Sequence, residues 1–101
     1  MLPVETPTFT KLPGLVFREK GEIDRALADF ARVTQLEPKN AAAFNNLGLA
    51  HRSRGDLDKA LASFDQAVKL DAGMALGFNN RGAAFGMKGD MARAIADFDQ
   101  A

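Results

Sequence analysis

The side chains whose type and spacing could do chemistry here are two pairs of adjacent asparagines, Asn45-Asn46 and Asn79-Asn80, the second pair echoing the first further along the chain. A carboxamide both donates and accepts, so a column of them can hydrogen-bond the main chain of an extended peptide without demanding a particular sequence. That chemistry is recognition, not bond making. His51 is the only histidine, and no serine, cysteine or second histidine is placed to work with it, so it reads as a packed residue rather than a catalytic base. Acidic residues 22, 24, 56, 58 and 90 cluster where helices begin and are explained by the positive end of the helix dipole before any paired-carboxylate site. The glycines are spaced for turns and close packing, and no Lys-Ser or Lys-Thr follows them as a phosphate loop requires. Met74, Met87 and Met91 read as apolar filler, with Met87 the one expected to touch an adaptable apolar ligand. No catalytic, cofactor-binding or metal-ligating residue is identified, no cofactor is implied, and enzymatic activity has no support.

Composition narrows the partners. Thirteen basic and thirteen acidic side chains cancel over the 101 residues, which removes the electrostatic footprint of a nucleic-acid binder or a polybasic membrane anchor. There are no cysteines, so neither a disulfide framework nor a thiolate metal site is available. No apolar run approaches the roughly 20 residues that span a bilayer, and Met1-Leu2-Pro3-Val4-Glu5 lacks the basic start and apolar core of a signal peptide. A protein partner, no nucleic acid, no membrane and a cytoplasmic default follow.

The elements that must position the asparagines are given by a repeat. Segments led by Gly21, Gly55 and Gly89 recur at one constant interval, and Phe44-Asn45-Asn46-Leu47-Gly48 is echoed at the same interval by Phe78-Asn79-Asn80-Arg81-Gly82. A fixed period of this size marks a stacked array in which one repeat cannot bury its own apolar face. Large apolar residues at 23, 27, 30, 33 and 36, then Leu57, Leu61, Phe64 and Val68, then Met91, Ile95 and Phe98 step by threes and fours, the stripe of an α-helix. Phe44, Leu47, Gly48 and His51, and Phe78, Gly82 and Phe85, belong to the helix before each. Gly55 and Gly89 stand where a left-handed helix end is wanted, Asp56 and Asp90 follow as N-caps, and Asn40 caps a helix from about Ala41.

This pattern resembles the tetratricopeptide repeat. Its slots in residues 41–74 hold Phe44, Leu47, Gly48, His51, Gly55-Asp56, Ala60, Phe64 and Ala67, with His51 and Ala72 as departures from an aromatic and a proline. Residues 75–101 supply Phe78, Gly82, Phe85, Gly89-Asp90, Ala94 and Phe98. The first repeat, ending at residue 40, is degenerate: Thr10 and Pro13 occupy an aromatic and a leucine slot, and only Gly14 and Phe17 fit. We expect an extended or disordered lead-in over residues 1–12, a short helix from Pro13 to Lys20, and a domain over 13–101 in three repeats, the third truncated. The resemblance implies an all-α fold, a right-handed superhelix of antiparallel helical hairpins with no enzymatic role.

It also implies a concave groove lined by the first helices, here Asn45, Asn46, Leu49, Arg52, Ser53, Asn79, Asn80, Ala83, Gly86 and Met87. Asn46 and Asn80 can alternatively bond a neighbouring helix. Family members that clamp a terminal carboxylate use lysine or arginine positions together with asparagines across three first helices. Here those places hold Lys11, Leu15, Asn46, Leu76 and Asn80, of which only Lys11 and Asn46 agree, so a clamp of that type is not expected. Two functions follow: an interaction scaffold whose groove takes a peptide or helix of a partner, or a structural element that self-associates through a terminal face carrying Phe85, Ile95 and Phe98, unless further repeats of a longer protein cover it.

Overall fold

The computed structural model describes the backbone from residue 5 onward and the side chains from residue 21 onward. Over these residues the chain forms five helices and no strand: α1 (Glu5–Leu36), α2 (Ala41–Ser53), α3 (Leu57–Leu70), α4 (Ala75–Lys88) and α5 (Met91–Gln100). Each helix packs against the next in sequence, and α2 also reaches α4, so the architecture is the all-α solenoid of stacked hairpins.

The turns show why. Gly55 and Gly89 close α2 and α4 with φ of 84° and 90°, a conformation that costs an L side chain but not glycine. Asp56 and Asp90 then accept hydrogen bonds from the backbone N–H of Lys59 and Arg93, at 3.5 and 3.2 Å, and start the next helices. Asn40 does the same for α2, accepting from Ala43 N–H at 3.0 Å.

The third glycine of the series behaves differently. The expected break at Gly21 is absent: α1 runs through it as one helix of 32 residues, in place of a short helix ending at Lys20 and a second one starting near Ile23. Gly21 is followed by Glu22, not by an aspartate, and a glutamate is not among the short side chains that cap a helix start. The helix also includes residues 5–12 of the expected lead-in, while residues 1–4 lie outside the described residues, as do the side chains at the degenerate slots Thr10, Pro13, Gly14 and Phe17.

The core sits where α2 lies over α3 and α4. Ala60, Phe64 and Ala84 are fully buried, and Leu49 and Leu61 pack against them. The closest approach is at Gly48, where a Cβ would come within 2.5 Å of the Phe64 ring, so a side chain there must displace the aromatic. On the surface, Asp24 pairs with Arg54 and Asp58 with Lys88, the same contact one repeat apart. Exposed pairs of this kind contribute at most about 1 kcal/mol. Their recurrence shows that the second half of α1 sits on α2 in the register in which α3 sits on α4.

Candidate functional site

Consecutive residues on a helix point about 100° apart, so each asparagine pair is divided between two faces. Asn45 and Asn80 turn toward each other across the α2–α4 contact. They are buried, with 3% and 8% exposure, and the Asn80 carboxamide donates from Nδ2 to Asn45 Oδ1 at 3.0 Å. Asn80 thus takes the alternative of bonding a neighbouring helix, and Asn45, expected in the open groove, is buried as its partner. The pair joins two repeats, and an amide left alone in that position would lose a partner at a cost of about 1–3 kcal/mol. Asn46 is half-buried and Asn79 exposed, so these two keep a surface accessible to ligand.

Asn46 belongs to a cleft of about 680 Å³ between α1 and α2. Leu49, Ala50 and Ser53 follow it on one face of α2, and Ile23, Ala26 and Phe30 face them from α1, with Glu22 at the rim. The steps of three and four on both helices mean that each contributes a single stripe. The result is an apolar floor bordered by one carboxamide, one hydroxyl and one carboxylate, open along its length.

The remaining groove positions divide by exposure. Arg52 and Ala83 are half-buried, and Met87 is 60% exposed. His51, expected to pack, is half-buried, and burial holds its imidazole pKa below the ordinary 6.5 against the opposing pull of Asp56. Among the described residues no group of histidine, cysteine, aspartate or glutamate is arranged to hold a metal ion, and no helix is long and apolar enough to cross a membrane.

The opposite end carries the proposed self-association residues. Ile95 and Phe98 on α5 are 57% and 45% exposed, whereas Phe85 on α4 is half-buried with the Arg81 and Arg93 guanidinium groups over its ring at 6.0 and 5.7 Å. Beside them lies a network not anticipated from the sequence. Arg81 donates through Nε and Nη2 to both oxygens of Asp97, at 2.8 and 2.7 Å, and through Nη1 to Asp65 at 2.7 Å. Asp97 is only 4% exposed, and its hydrogen bonds are the foremost reason that the guanidinium stays protonated well above the usual arginine range. The available signal was a difference between repeats: Arg81 and Asp97 stand where the preceding repeat has Leu47 and Ser63.

Comparison with known proteins agrees with this architecture. The tetratricopeptide repeat family model matches residues 14–75. No curated protein matches the chain. Among solved structures, a crystal structure of MamA is 26% identical with a TM-score of 0.75, over 78% of this chain and 46% of that one. The chain thus spans less than half the length of that protein. The second TPR of Spaghetti (RPAP3), solved bound to the HSP90 peptide SRMEEVD, is 26% identical with a TM-score of 0.76, over 87% of this chain and 82% of its own. The Yersinia enterocolitica type III secretion translocator chaperone SycD, 20% identical with a TM-score of 0.76, shares the fold.

Proposed function

This chain belongs to the tetratricopeptide repeat family, and from that premise we propose that it is a protein-interaction scaffold whose α1–α2 cleft receives an α-helix of a protein partner. The observation that carries the reading is the cleft itself: Ile23, Ala26, Phe30, Leu49 and Ala50 form two parallel apolar stripes, and Asn46 and Ser53 stand beside them to fix orientation. An amphipathic helix presents its apolar face at i, i+3, i+4 and i+7, which is the periodicity of those stripes. Arg52, Asn79, Ala83 and Met87 are the further contacts we assign to the partner along the first helices. The neighbour solved with a bound peptide supports a binding role for such a scaffold.

The test is a titration of a fluorescent peptide carrying residues 40–54, the α2 helix with its cap, into the chain and into the Ala26→Trp variant. Indole fills the cleft from its floor, so binding is expected to weaken at least tenfold while far-UV circular dichroism is unchanged. Equal affinity for both proteins, or no binding to either when the chain is monomeric at the titrated concentration, defeats the reading. A second reading has its own observation: the exposure of Ile95 and Phe98 supports self-association through α5, which Phe98→Glu should abolish, as read by mass in solution.

A further inference from the structure

The cleft has an occupied copy inside the same molecule. Moving its lining forward by one repeat carries Ile23, Ala26 and Phe30 onto Leu57, Ala60 and Phe64, and Asn46 and Ala50 onto Asn80 and Ala84. In that second position the seat is filled by α2: Gly48 lies against the Phe64 ring, Leu49 packs on the Ala60, Phe64 and Ala84 cluster, and Asn45 accepts from Asn80. Covered in this way Phe64 is fully buried, whereas Phe30, its counterpart in the open cleft, is only half-buried. The helix that suits the open seat therefore has a glycine over the aromatic ring and a leucine next to it.

One segment of this chain has that pair at the matching offset. Gly14-Leu15 stand one repeat before Gly48-Leu49, and Arg18 likewise before Arg52. Yet α1 carries them away from their own seat. At 1.5 Å per residue, a helix unbroken from Gly14 to Phe30 holds the two about 24 Å apart. A straight α1 can place Gly14 only in the seat of another molecule. We infer that the chain pairs with a second copy by reciprocal exchange: the N-terminal half of α1 of each molecule lies in the α1–α2 cleft of the other, in the helical register that brings position 14 opposite Phe30 and position 15 opposite Ala50. This rests on the reading of the cleft as a helix seat and names the helix. The assembly is two-fold, because each copy gives one arm and receives one.

The absence of cysteine makes the test clean. Chains bearing Leu15→Cys and chains bearing Ala50→Cys, differing in tag, are mixed, refolded together and oxidised. Exchange predicts a mixed disulfide dimer as the main product, lost when Ala26→Trp is added and retained when Phe98→Glu is added. The parent chain, free of cysteine, should show twice the monomer mass by light scattering. If instead the double variant Leu15→Cys/Ala50→Cys closes an internal disulfide in a monomer, the arm bends at Gly21 onto its own seat and exchange is overturned, while the cleft remains a helix seat. A monomer with neither crosslink overturns exchange as well, and the peptide titration then decides by itself whether the cleft takes a helix. A dimer abolished by Phe98→Glu transfers self-association to α5 and overturns exchange too.

Discussion

The second and third repeats have nearly the same sequence pattern and different surroundings. In the pair α2–α3, Phe64 is fully buried beneath Gly48 and between helices that continue on both sides. In the pair α4–α5, Phe98 occupies the same slot and also meets its glycine, since a Cβ on Gly82 would lie 2.9 Å from its ring, yet it is 45% exposed. Equal residue type in an equal slot does not give equal burial. In a stacked array each repeat completes its neighbour, and the stability of a slot depends on the element next to it. The first repeat teaches this from the other side, with Phe30 half-buried beside a seat that no described side chain closes.

The largest effect expected from this comparison is at the two aromatics. Phe64→Ala should cost about 3–5 kcal/mol, the range for truncating a buried aromatic in a core that relaxes incompletely. Phe98→Ala should cost about 1 kcal/mol, because much of its ring already meets water. Urea midpoints of the two variants measure the difference. Equal losses would mean that the third repeat is covered in solution by a second copy, and would sharpen the case for association through α5.

An intermediate effect is expected where the third repeat replaces apolar packing with charge. Arg81→Leu leaves Asp97 buried without its bidentate partner and should cost about 2–3 kcal/mol, less than a fully enclosed pair because Arg81 retains some contact with solvent. Arg81→Leu/Asp97→Ser installs the Leu47 and Ser63 chemistry of the second repeat, and stability should return to within about 1 kcal/mol of the parent. Asp65, the other carboxylate of the network, is half-exposed and tolerates the loss. If the double variant is as unstable as the single, the slot requires charge, and the two repeats are not interchangeable.

How much of this was legible follows the same division. The slots fixed by local chemistry could be read directly: Gly55 and Gly89 at positive φ, Asp56, Asp90 and Asn40 as caps, and the apolar stripes of α3 and α5. What depended on a neighbour could not. Asn45 and Asn80 were legible as amides, but their distance across α2 and α4, which turns a candidate ligand pair into a buried bond, is a property of the stack. The cleft residues Ile23, Ala26 and Phe30 carry a sound core stripe. Their partial exposure follows from the absence of a turn at Gly21, where glycine alone, without an aspartate after it, does not end a helix. The contrast of Arg81 with Leu47 was present in the aligned repeats, but a single odd residue in a slot does not name its partner.

The smallest effect concerns the slot held by His51 in the second repeat and by Phe85 in the third. Burial is the leading cause that lowers the His51 pKa, so the folded chain binds its proton less tightly than the unfolded chain does. Unfolding then takes up a proton, and the stability contributed by neutral His51 is present above the ordinary histidine value of 6.5 and declines as pH falls below it. Asp56 opposes the shift, which keeps the effect small. The urea midpoint of the parent should therefore drift downward between about pH 7.5 and pH 5.5, above the range in which carboxylates titrate. His51→Phe, which gives the second repeat the aromatic of the third, should remove that drift. A drift that survives the substitution would place the proton uptake elsewhere, and a parent with no drift would show that His51 is as well hydrated in the folded chain as in the unfolded one.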